Sequence, residues 1–153
     1  MAAGEKLIAE NRQARHNYEI LDRFEAGLAL LGSEVKSLRA GHAQLKDSYG
    51  LIRDGEAFLL NCHISRYENA GYDAPDPDRT RKLLLHRAEI ARLEGKTRER
   101  GLTLIPLRLY FKNGRVKCEL GLAKGKQLYD KRETERRRQA EREARAALKS
   151  RSR

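Results

Sequence analysis

The feature that most constrains this chain is a pair of long alternating segments joined by Asn113-Gly114. Both residues tolerate the positive φ of a two-residue type I′ turn, so the dipeptide predicts a tight β-hairpin. Leu107, Leu109 and Phe111 alternate with Arg108, Tyr110 and Lys112 on one arm. Val116, Cys118, Leu120 and Leu122 alternate with Lys117, Glu119 and Gly121 on the other. A period of two places each set on one face of a half-buried sheet. Pro106 cannot donate to a ladder and marks a strand start or edge. An isolated hairpin is marginal and leaves open edges, so further strands are required.

Those strands are legible. Tyr18, Ile20, Phe24, Ala26, Leu28 and Leu30 share one parity, and Asp22 breaks it where a bulge is expected. Asp54-Gly55 predicts a second hairpin between 49–53 and 57–64, with Phe58, Leu60, Cys62 and Ile64 on one face. Ser33 is expected to cap a short helix over 34–39 that Gly41 closes, with Val35 and Leu38 inward. The stretch 69–78 is dense in turn formers and reads as a surface loop. The spacing of Leu83, Leu84, Arg87, Ile90, Ala91 and Leu93 predicts a helix from Arg79 to Leu93, with Gly95 as its stop. Five or six strands, mostly joined by hairpins, predict a mainly β fold. An OB-type antiparallel β-barrel with short helices is favoured over an open α+β sandwich, because closure hides the edges.

Composition narrows the function. The 153 residues are 39% hydrophobic and 6% aromatic, enough for one modest core. No apolar run approaches the ~18 residues of a membrane span and the start lacks an export h-region, so a cytoplasmic protein is expected, with no membrane partner. Cys62 and Cys118 form no C-x-x-C pair and read as small buried apolar residues. His16, His42, His63 and His86 have no metal-ligand spacing, and no nucleophile elbow or Walker loop occurs; no catalytic residue, metal or cofactor is expected.

The charge points to a polyanion: 33 Lys and Arg stand against 22 Asp and Glu, a net of +11. From Lys124 onward there are 12 basic and 5 acidic residues, a net of +7, leaving +4 for everything before. The chain therefore divides into a flexible N-terminus (1–10), an RNA-binding body with short helices (11–123) and a basic C-terminal tail (124–153). Glu133 with Arg137 and Glu141 with Arg145 favour a helix in the tail, but it has no apolar face to bury. It is expected to be disordered when free and to order on a polyanion. In the body His16, Tyr18, Tyr67, Tyr72 and Tyr110, and Tyr129 in the tail, are candidates for stacking on bases, with Arg12, Arg15, Arg81 and Lys82 for phosphates.

Longer blocks carry a resemblance. Asn11-Arg12-Gln13-Ala14-Arg15-His16-Asn17-Tyr18, Phe24-Glu25-Ala26-Gly27-Leu28-Ala29-Leu30, Ser33-Glu34-Val35-Lys36-Ser37-Leu38-Arg39-Ala40-Gly41, Asp47-Ser48-Tyr49, Arg81-Lys82-Leu83-Leu84-Leu85, Gly121-Leu122-Ala123-Lys124-Gly125-Lys126 and Asp130-Lys131-Arg132 follow in order. Together they closely resemble the SmpB family, the SsrA (tmRNA)-binding proteins of bacteria. The resemblance implies an OB-type barrel that binds the tRNA-like domain of tmRNA, delivers it with elongation factor Tu to stalled 70S ribosomes, and supports trans-translation without being an enzyme.

It also implies that Asn11, Glu25 and Leu84 belong to the RNA-contacting face, to which the basic and aromatic residues read above add Arg12, Arg15, His16, Arg81 and Lys82. The tail residues Lys124, Gly125, Lys126, Tyr129, Asp130, Lys131 and Arg132, extended by Arg136, Arg137 and Arg138, would engage the decoding region and small-subunit rRNA as a helix. Gln13 and Gln127 depart from the family pattern where basic residues are common. A monomer is expected. Two alternatives stand: a general RNA chaperone, and a metal-dependent nuclease using Glu25, Glu34 and Asp47.

Overall fold

The computed structural model describes residues 4–67, 74–99, 101–125, 136 and 138–147. The elements run β1 (Glu5–Glu10), α1 (Arg12–Asn17), β2 (Tyr18–Leu28), α2 (Gly32–Arg39), β3 (Ala43–Gln44), β4 (Tyr49–Arg53) and β5 (Glu56–Leu60), then β6 (His63–Ile64), β7 (Arg81–Leu84), α3 (Arg87–Thr97), β8 (Leu102–Lys112) and β9 (Arg115–Gly125). Both predicted hairpins form. Asp54 and Gly55 take φ of 51° and 74°, and Asn113 and Gly114 take 51° and 78°, the left-handed pairs a type I′ turn needs. The bulge expected near Asp22 is also present, as a register shift between Ile20 and Asp22.

Seven strands make one antiparallel sheet in the order β1-β8-β4-β5-β7-β2-β9, and β9 returns to pair with β8. The sheet thus curls into a partial ring. Its seam is narrow: β4 meets β8 only at Gly50↔Leu104. A Cβ on Gly50 would lie 2.9 Å from the Leu104 Cβ, so the backbones approach this closely only because the position is glycine. The inner face buries Phe24, Ala26, Leu59, Leu83, Leu109, Leu120 and both free cysteines, with Leu38 of α2 and Leu93 of α3 packed against it. Burial pushes the Cys62 thiol up to about 11.

Several expectations are corrected. Residues 5–10, assigned to a flexible N-terminus, form β1 on the edge of β8, from Glu5↔Lys112 to Glu10↔Arg108, with Ile8 and Ala9 packed on the core. The predicted helix from Arg79 begins only at Arg87, runs through Gly95 to Thr97, and is preceded by a strand. Strand pairing explains the change: Arg81 to Leu84 fill the gap between β5 and β2, and their burial alternates strictly. In the second hairpin Ala57 and Leu59, not Phe58 and Leu60, face the core. Asn61, at φ 59°, then breaks the strand, and Cys62 and Ile64 turn inward.

Ser33 lies inside α2, which starts at Gly32; the Glu34 side chain instead accepts from the Leu31 N–H at 2.9 Å. A register shift between Pro106 and Arg108 sends Leu107 to a second small cluster with Ala14, Ile105 and Ala123, beneath α1. Lys124 and Gly125, assigned to the tail, are the last residues of β9, opposite Glu19 and Tyr18. Within the tail, residues 138–147 are helical with every side chain exposed, consistent with the (i, i+4) spacing of Glu141 and Arg145.

Candidate nucleic-acid interface

The alternation of β7 divides its residues by role. Lys82 and Leu84 point outward, while Arg81 and Leu83 point in. Leu84 is 51% exposed and stands over Gly27, its partner on β2, where an added Cβ would lie 3.2 Å from the Leu84 Cβ. Glu25, Lys82, Leu84, His86, Arg87 and Lys117 line a groove beside this pair. An adjoining hollow is lined by Glu25, Lys112, Asn113, Arg115 and Lys117. An exposed leucine among cations suits a nucleotide: the side chain can pack on a base or sugar while the cations meet phosphate.

Glu25 is held within this basic surface. The Tyr110 hydroxyl donates to its Oε2 at 2.5 Å, and Lys112 Nζ reaches Oε2 at 3.2 Å and Oε1 at 3.4 Å. The Tyr110 hydrogen bond, with Lys112 and Lys117 nearby, holds the Glu25 carboxyl below its ordinary range against the opposing effect of burial. Glu25 is therefore an acceptor-only carboxylate. Such a group can meet RNA where it accepts from a base amino or imino N–H.

Arg81 does something else. It is fully buried, with Nε donating to Glu34 Oε2 at 2.7 Å, Nη1 to the carbonyls of Cys62 at 2.6 Å and Arg79 at 3.1 Å, and Nη2 to that of Pro77 at 3.0 Å. Its donors are spent within the protein, which corrects its assignment to an RNA-contacting face. Arg79 Nη2 donates to Glu34 Oε1 at 2.5 Å, so Glu34 joins two arginines to the start of α2. Burial alone would raise the Glu34 carboxyl, but hydrogen bonds from Arg79, the Leu31 N–H and Arg81 outweigh it and lower it.

Asn11 is also buried. Its Nδ2 donates to the carbonyls of Pro106 at 3.0 Å and Leu45 at 3.4 Å, and its Oδ1 accepts from the Ala14 N–H at 3.3 Å, capping α1. It thus places the exposed Arg12, Arg15 and His16 without presenting its own side chain; Arg15 lies 3.5 Å from Glu10. Lys82 is exposed beside Glu56 at 3.1 Å. Tyr110 is buried, Tyr18 half-buried, and Tyr67 lies under Lys36, whose Nζ is 5.4 Å from the ring centroid. Arg136 and Arg138 are exposed in the tail. Lys126, Tyr129, Asp130, Lys131, Arg132, Arg137 and Tyr72 lie outside the described residues.

The carboxylates proposed for a nuclease do not converge. Glu34 is committed to two arginines, and Asp47 lines a different cleft with Asn11 and Tyr49. Among the described residues no cluster of three His, Cys, Asp or Glu side chains could hold a metal, and no helix is long and apolar enough to cross a membrane.

A family model described as SmpB protein matches residues 8–150 of this chain. The chain belongs to the SmpB family. Proteins called SsrA-binding protein are similar along nearly its full length: that of Pelobacter propionicus is 59% identical over 150 residues, covering 98% of this chain and 99% of its own. That of Desulforudis audaxviator is 61% identical over 144 residues, covering 94% of each. A solved structure described as "tmRNA-SmpB: a journey to the center of the bacterial ribosome" superposes with a TM-score of 0.66 at 54% identity, over 77% of this chain and 83% of that one.

Of the residues expected on the RNA-contacting face, Glu25, Lys82 and Leu84 lie together on one groove. Sequence reasoning missed Lys112, Arg115 and Lys117 beside them. The two lysines sit on the outward parity of the Asn113-Gly114 hairpin, so alternation alone could have nominated them. The bond between Tyr110 and Glu25 had no such signal, since β9 lies between their strands.

Proposed function

We propose that this SmpB-family chain is the SsrA-binding factor of trans-translation, a non-enzymatic protein that binds tmRNA. Membership of the SmpB family across residues 8–150 carries this reading. The partial ring serves as an OB-type barrel, and the groove of Glu25, Lys82 and Leu84, with Lys112, Arg115 and Lys117, takes the tRNA-like domain. Capped by Asn11, α1 adds Arg12, Arg15 and His16 as phosphate contacts. The basic tail engages small-subunit rRNA at the decoding region of a stalled 70S ribosome, and elongation factor Tu accompanies the complex during delivery in the cytoplasm. The factor acts as a monomer.

Competition tests the reading: labelled tmRNA should be displaced by its own tRNA-like domain at far lower concentration than by bulk tRNA or single strands. Equal displacement would leave a general RNA chaperone. Truncation after Gly125 should leave tmRNA affinity within a few fold while abolishing tagging on stalled ribosomes. Loss of both together would refute the division of labour between body and tail.

A further inference from the structure

Tyr110 is buried to 2% exposure on an outward sheet face that it shares with Arg108, Lys112, Glu25 and Glu119, and its hydroxyl is committed to Glu25. Around it runs a network from β1 to β2. Arg108 lies over the Tyr110 ring, with its Cζ 4.4 Å from the centroid, and its Nε donates to Glu119 Oε2 at 2.9 Å. Glu5 approaches Arg108 at 3.7 Å, and Arg23 Nη1 donates to Glu119 Oε1 at 3.1 Å. Glu25 and Glu119 are direct cross-strand partners, an arrangement that repels unless each acid is held separately. Two arginines draw Glu119 one way; Tyr110 and Lys112 draw Glu25 the other.

The two ligands of Glu25 are unequal in kind. Lys112 is a flexible, exposed cation that neutralises charge without fixing orientation, whereas a tyrosine packed beneath an arginine has almost no freedom left. We propose that Tyr110 is a positioning residue for RNA recognition, anchoring Glu25 Oε2 so that Oε1 is presented to the groove as an acceptor for a base amino or imino group. The inference rests on the reading that Glu25 meets tmRNA. Burial, with the hydrogen bond to Glu25, raises the phenol well above its ordinary value, so the hydroxyl stays a donor.

A double-mutant cycle on the full-length protein tests the proposal, with the tRNA-like domain of tmRNA as probe and a thermal melt of each variant. Tyr110→Phe keeps the ring and its contact with Arg108 and removes only the oxygen. It should weaken binding about tenfold, the value of one hydrogen bond to a charged group. In a Glu25→Ala background the same change should cost nothing further. Equal weakening in both backgrounds would assign Tyr110 a purely structural role and overturn the proposal. So would a Tyr110→Phe affinity within twofold of the parent while Glu25→Ala binds poorly. If Glu25→Ala itself binds normally, the reading beneath the proposal fails first.

Discussion

Glu34 and Glu25 put the same functional group to opposite uses. Glu34, 2% exposed between Arg79 and Arg81, ties α2 to the segment that enters β7. Glu34→Ala would strand a buried guanidinium and should lower stability by about 3–5 kcal/mol in denaturant melts. Because its carboxyl is lowered in the folded chain, its contribution is complete above the ordinary value of 4.5 and is lost as pH falls through the lowered folded value. The parent should therefore lose stability at acid pH more steeply than Glu34→Gln. Asn11→Ala should cost about 1 kcal/mol as a lost cap, read in the same melts, and loosen the cationic helix it starts. The basic pattern offered Arg81 as a phosphate contact, and the family resemblance put Asn11 on the RNA-contacting face, yet both are buried. Their burial depends on the carbonyls of Cys62, Pro77 and Pro106, which only the tertiary fold brings near.

At the scale of elements, turn chemistry transferred from sequence to structure almost intact, whereas β7 did not. Asn113-Gly114 and Asp54-Gly55 specify their own backbone, so no distant partner is needed to read them. Arg81 to Leu84 satisfies a helical and a strand pattern equally, and pairing with β5 and β2 decides between them. Adjacent leucines expose the outcome. Leu83→Ala, at 1% exposure, should destabilise by about 2–5 kcal/mol, while Leu84→Ala should change stability by no more than about 0.5 kcal/mol. Affinity for tmRNA should fall for Leu84→Ala at a temperature where both variants are folded. A reversed pair of melts would show that the strand's faces are misassigned.

Over the whole molecule, the surplus of +11 is divided between a folded body and a tail of different composition. This was readable from a count of charges, while the grouping of Lys82, Lys112, Arg115 and Lys117 depends on the strand order β7-β2-β9-β8, which the sequence does not spell out. Each phosphate those cations neutralise should add about −0.7 to −0.9 to the slope of log affinity against log salt. Replacing Arg115 and Lys117 together with Gln should make the slope less negative by nearly two such increments, measured by filter binding across a salt series. The route by which the tail leaves the body carries a mechanical consequence. β9, whose end is the tail's root, is an interior strand paired on one side with β2 and on the other with β8. Tension on the tail therefore enters a strand that offers no free edge to peel. A pull along β9 must strain two hydrogen-bond ladders at once, and the same strand carries Lys117 into the groove. A tug at one end of this protein is thus delivered as a load on the surface proposed to hold its RNA.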